Sequence, residues 1–142
     1  MRNIELAKKF YSLPRITKED RAELLSMFHE DVRYVGVGKE NARGRAAIER
    51  LFSKYEARGK GITALKFDIK HLAENGDTVL VDMVDTITVG SRTFSGVWSI
   101  VFEFENGLIT FWQEHYPIAG VEGLFAELVP VTECESGPLP LT

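Results

Sequence analysis

The stretch from Thr63 to Pro117 constrains this chain most. It alternates apolar and polar residues almost without interruption. Three turn signals cut it at regular intervals: Asn75-Gly76, Gly90-Ser91 and Asn106-Gly107. Period-two alternation puts successive side chains on opposite faces of a strand, and Asn-Gly favours the tight turn of a hairpin. The segment therefore predicts four consecutive antiparallel strands, over Thr63–Glu74, Thr78–Val89, Arg92–Glu105 and Leu108–Tyr116. Leu65, Phe67, Ile69 and His71 are expected on one face of the first. Phe94, Trp98, Ile100, Phe102 and Phe104 are expected on one face of the third, with Val97 and Val101 opposite. On the last strand Trp112 is expected on one face, Ile109 and Phe111 on the other.

The first quarter reads as helix. Ile4, Ala7, Phe10 and Tyr11 fall near helical spacing, and Pro14 ends the segment. Thr17 with Asp20 is an N-cap signal ahead of Leu24, Leu25 and Phe28. A short strand over Asp31–Val37 and a loop over Gly38–Gly44 come next. Ile48, Leu51, Phe52 and Tyr55 then mark a helix over Arg45–Ala57, closed by Gly59 and Gly61. Val121–Leu128 is a candidate short helix. The order predicts an α+β fold: a cone-like, curved, antiparallel or mixed sheet with three helices on its concave face. With 142 residues, one domain over 1–130 and a C-terminal tail over 131–142 are expected.

Apolar residues on both sheet faces require a cover on each. Helices cover one, and a homodimer built through the sheet is expected to cover the other. A formal charge of −4 gives no basic excess, so nucleic acid is not an expected partner. No apolar run reaches the roughly 18 residues of a membrane span, and Met1–Phe10 is charged and mixed. With Cys134 the single cysteine, a cytoplasmic protein is expected. His29, His71 and His115 lack metal-ligand spacing, so neither metal nor cofactor is expected.

Asp85 is the chemical anomaly. It is one carboxylate in the row Val79, Val81, Met83, Asp85, Ile87, Val89. An Asp facing an apolar interior keeps its proton and is a candidate acid or base; the alternative is an Asp bonded to a nearby backbone or hydroxyl group, or one at an open rim. Glu114 shares a strand face with Trp112 and Tyr116, so it enters the same interior if Trp112 does. Its structural alternative is an ion pair with an arginine. Two carboxyls in one apolar pocket can divide acid and base roles. Tyr34, on the first strand, is placed to orient a substrate oxygen. Met83, Trp98, Phe102, Trp112 and Tyr116 are the expected pocket walls. Arg43, Arg45 and Arg50 read as a solvated helix face.

Over Ile4–Pro117 the chain resembles the nuclear transport factor 2-like superfamily, with its SnoaL-like polyketide cyclases, ketosteroid isomerases and limonene epoxide hydrolases. Phe28-His29-Glu30-Asp31-Val32, Arg43-Gly44-Arg45-Ala46-Ala47-Ile48 and Asn106-Gly107-Leu108-Ile109 leading into Trp112-Gln113-Glu114 carry the likeness. By resemblance to limonene epoxide hydrolase, Asp85 stands at the acid, Glu114 at the base, and Tyr34 at a water-holding tyrosine. Met83 stands where that family has a bridging arginine, and Gly36 where it has an asparagine. A ketosteroid isomerase of the usual kind does not fit: Gly36 occupies its base position, and no Asp lies in Trp98–Phe102. The resemblance implies acid–base chemistry on a fairly apolar oxygenated small molecule: cyclisation, isomerisation, dehydration or epoxide hydrolysis. The alternative is a non-catalytic dimer binding a ligand or protein in the same pocket.

Overall fold

A computed structural model describes residues 1–37, 41–58 and 61–126. Cys134, the 131–142 tail and the boundary at 130 lie outside these residues. Two helices, α1 (Asn3–Ser12) and α2 (Arg21–Ser26), precede strands β1 (Phe28–Val35) and β2 (Asn41–Arg43). Helix α3 (Arg45–Ala57) leads into β3 (Ile62–Asn75), β4 (Thr78–Val89), β5 (Arg92–Glu105) and β6 (Leu108–His115), and α4 (Ile118–Ala126) comes last. The six strands form one mixed sheet in the order β2-β1-β6-β5-β4-β3. β1 and β6 pair in parallel, and the other neighbours pair antiparallel.

The turn chemistry works as expected. Asn106 and Gly107 both take positive φ, 51° and 79°, which the tight β5–β6 turn requires. Thr17 and Asp20 exchange reciprocal backbone-to-side-chain hydrogen bonds of 3.4 and 3.2 Å just ahead of α2. The odd residues of β4, from Val79 to Val89, are all buried. They face Phe10, Phe28, Trp98, Phe102 and Trp112 in one continuous core.

Several boundaries and faces differ from the sequence reading. β1 begins at Phe28 rather than Asp31, and Asn41–Arg43 is a strand rather than loop. It pairs antiparallel with β1 through residues too polar to show an alternation. The β3–β4 register shifts between Ile69 and His71, which moves Leu72 into the apolar row and His71 out of it. His71 is exposed and lies 2.9 Å from Asp82. A second irregularity, between Phe104 and Glu103, leaves an extra residue on β6. Ile109 is consequently buried on the Trp112 side, not opposite it.

The candidate helix at Val121 forms and starts earlier, at Ile118, bringing the helices among the described residues to four; residues 127 and 128 of that candidate lie outside them. Pro117 accepts the N–H of Val121 at 3.2 Å and starts α4, which packs on β5. Gly120 makes that approach possible: a Cβ there would lie 2.3 Å from the Phe94 ring. Gly120→Ala is expected to destabilise the fold by about 1–3 kcal/mol by lifting α4 off the sheet. A urea titration measures this; an unchanged midpoint would contradict it.

Candidate active site

Four elements aim polar side chains into one cavity of ≈ 120 Å³. Alternation along β4 turns Asp85 inward, opposite Gly96 of β5. On β6 the same alternation brings in Trp112 and Glu114. The parallel register sets Tyr34 of β1 directly beside Trp112. Tyr11 arrives from the last turn of α1, and Arg15 from the segment after it. Aromatic rings from α3, β3, β5, β6 and α4, among them Phe52, Phe67, Trp98 and Phe125, form much of the wall.

Each oxygen of the Glu114 carboxylate accepts a tyrosine hydroxyl. Tyr34 donates to Oε1 at 3.0 Å and Tyr11 to Oε2 at 3.3 Å. The Trp112 indole N–H donates in turn to the Tyr11 oxygen at 3.3 Å. Burial, then the negative charge of Glu114, hold the Tyr11 hydroxyl well above the usual phenol range, so it remains a donor.

Asp85 is only 3% exposed, and its Oδ1 has no hydrogen-bond partner. Desolvation, reinforced by Glu114 and opposed by Arg15, pushes its carboxyl up to about 8. At pH 7 Asp85 is thus a neutral acid at the cavity wall, and its buried Oδ1 has no partner within the protein. Such an orphaned buried polar atom is rare in folded proteins, and a site where it meets a cavity is suited to chemistry. The cavity therefore brings a carboxyl raised by burial together with a carboxyl group that accepts two tyrosine hydroxyls.

Of the residues expected from sequence, Asp85, Glu114, Tyr34, Trp98, Trp112 and Tyr116 line this cavity together. Met83 and Phe102 do not. Both are fully buried in the core, where α1 packs over that end of β4. Phe102 meets the rings of Phe10 and Phe104 at 5.1 and 5.7 Å. The histidines lie elsewhere: His115 contacts Gln113, and His29 accepts the Asp31 N–H at 3.0 Å. Among the described residues no three His, Cys, Asp or Glu side chains cluster closely enough to hold a metal ion.

Two site residues escape the sequence patterns. Tyr11 reads as one more apolar position of α1, and only its polar hydroxyl hints at more. Arg15 follows Pro14 in a segment with no periodicity, and nothing in the sequence separates it from the other arginines.

No helix is long and apolar enough to cross a membrane among the described residues. A LEH-like epoxide hydrolase from M. tuberculosis superposes with a TM-score of 0.69 at 20% identity, over 89% of this chain and 90% of that one. An NTF2-like protein of unknown function from Burkholderia pseudomallei gives 0.73 at 17%, over 87% and 96%. A protein of Jannaschia sp. CCS1 assigned to the SnoaL-like polyketide cyclases gives 0.72 at 11%, over 87% and 91%. No curated protein sequence matches the chain. At these identities the likeness is one of fold. The family model of the SnoaL-like domain matches residues 7–112, and with the NTF2-like architecture around the Asp85–Glu114 cavity, the chain belongs to the SnoaL-like domain family.

Proposed function

We propose that the protein is an acid–base enzyme acting on a small, fairly apolar oxygenated molecule, with Asp85 as acid and Glu114 as base. The observation that carries this is the Asp85 carboxyl, buried at the wall of an aromatic cavity with Oδ1 unpartnered; that burial pushes it up to about 8. An epoxide or an enolisable ketone suits such a site. With an epoxide, Glu114 takes a proton from water as the water oxygen attacks ring carbon. The C–O bond breaks, and its oxygen takes the Asp85 proton, giving a diol. The proton on Glu114 then returns to Asp85. Tyr34 and Tyr11 hold the Glu114 carboxylate in place between turnovers. With a ketone, Glu114 would take the α-proton while Asp85 donates to the carbonyl oxygen.

The test is a panel of small epoxides and enolisable ketones offered to the wild type and to the Asp85→Asn, Glu114→Gln double variant. Turnover by the wild type alone is expected. The second reading is a binding module of the same fold, favoured by Met83 and Gly36 at positions where the resembling hydrolases have an arginine and an asparagine. It would show as ligand binding by both proteins, with altered affinity in the double variant, and turnover by neither.

We further propose a homodimer through the outer sheet face. Leu80 and Val97 stand 49% and 57% exposed there, and Val97 pairs with Val84 across β4 and β5. Val97→Glu is expected to convert a dimer to a monomer on multi-angle light scattering, because it places a charge in an apolar interface. A wild type already monomeric at high concentration would refute the assembly.

A further inference from the structure

Arg15 is an unusual place for a cation. Its residue is 6% exposed, and its guanidinium lies over three rings: Phe10 at 4.7 Å, Tyr11 at 5.2 Å and Phe67 at 4.8 Å. Nη2 donates to the Phe10 carbonyl and Nε to that of Leu13 at 3.4 Å. Its own backbone is pinned as well. The buried Arg21 donates to the Arg15 and Ile16 carbonyls at 3.3 and 2.9 Å while ion-paired to Glu49 and Glu56 of α3. A side chain held on rings, at its fork and at its backbone has little freedom to move.

The groups facing Arg15 come from several elements. α1 supplies the Tyr11 hydroxyl, β4 Asp85 and β6 Glu114. Asp20 lines a second pocket with it, beside Ser12 and Leu65. From β3, Phe67 and Leu65 bring no charge. Glu56 lines the same cavity but is bonded to Arg21 at 2.9 Å. Burial lowers the guanidinium only to about 10, against the pull of Tyr11, Glu114 and Asp85, so it stays charged at neutral pH.

In the acid–base reading, one negative charge moves from Glu114 to Asp85 as the reaction proceeds. We propose that Arg15 is a positioning residue: the immobile counter-charge shared by Glu114 and Asp85, favouring the ionised form of each in turn. This rests on the proposed acid–base role, but it makes a claim about the resting protein that stands apart from turnover. A fixed dipole or charge that needs no reorganisation is the efficient way to stabilise a migrating charge. A ring-stacked arginine is suited to it, since guanidinium tolerates burial against aromatic faces.

The test tracks the Asp85 carboxyl carbon by NMR as pH is varied, in the wild type, Arg15→Met and Arg15→Lys. Removing the charge in Arg15→Met is expected to raise the Asp85 midpoint by about one unit or more. Arg15→Lys, which keeps it, is expected to hold the midpoint close to wild type. If Arg15→Met does not fold, Arg15→Gln, which retains a donor for the Phe10 carbonyl, takes its place. An unmoved midpoint in the uncharged variants, or a lysine variant that behaves like them, would overturn the proposal. For a substrate turned over by the wild type, the alkaline limb of the rate profile should rise with the midpoint in Arg15→Met. A shifted midpoint in a protein that turns over nothing would support Arg15 as counter-charge while removing the catalytic reading.

Discussion

Asp85→Asn is expected to abolish turnover and to stabilise the folded protein at neutral and alkaline pH. Loss of the proton donor should cost a factor of about 100 or more in kcat/KM, the usual scale for a general acid. The stability effect has the opposite sign because burial makes the ionised form of Asp85 costly. Its folded value of about 8 stands far above the 3.8 of an exposed Asp. Below the lower value both folded and unfolded chains carry the proton, and the folded state bears no penalty. Between the two values the unfolded chain releases a proton that the folded chain keeps, so stability falls as pH rises. That slope reaches about 1.4 kcal/mol per pH unit from this one group and levels off above the folded value. Asparagine has no proton to release and removes the slope. Thermal melts of the two proteins should therefore coincide near pH 4 and diverge toward pH 8, with the variant melting roughly 5 °C or more higher there. A variant that loses stability at pH 8 would mean that Asp85 is held as a structural anion, and the acid role would fall with it.

Glu114→Gln is expected to cost a comparable factor, about 100 or more, for a different reason. Glutamine keeps the shape and can still accept from one tyrosine, but it cannot take a proton. It also removes a negative charge that pushes Asp85 upward, so the Asp85 carboxyl should ionise at a lower pH in this variant. If the two carboxyls act as one unit, the double variant should lose little more than the worse single variant, since the second loss has nothing left to remove. Activities in wild type, both singles and the double close this cycle. Fully multiplicative losses would indicate two independent contributions and contradict a shared proton exchange.

Much of the fold was legible because alternation and turn chemistry agree from Thr63 to Pro117. The limits of β4 and β5 come directly from Asn75-Gly76, Gly90-Ser91 and Asn106-Gly107. The parts that were not legible have physical causes. The two register shifts add a residue without changing composition, and each reverses the face of the residues beyond it; this moved His71 outward and Ile109 inward. β2 owes its existence to pairing with β1 rather than to its own pattern. At the site, Asp85 stood out because one carboxylate in an apolar row has few explanations. Met83 and Phe102 share the inner face with it, but face alone does not tell which part of a row lies under α1 and which part faces the cavity. Arg15 was the least legible. The strand pattern shows Met83 without a charge beside the two acids, and the cation comes instead from a non-periodic segment after α1, brought in by tertiary packing.

In the proposed reaction Asp85 works as a protonated acid opposite the Glu114 base. The most direct test is kcat/KM against pH for a substrate from the epoxide and ketone panel, in the wild type and in Asp85→Asn. The wild-type profile is expected to fall above a midpoint of about 8, as Asp85 gives up its proton, with no such limb and little residual activity in the variant. A wild-type rate that continues to rise through pH 8, or an Asp85→Asn variant as active as the wild type, would contradict it.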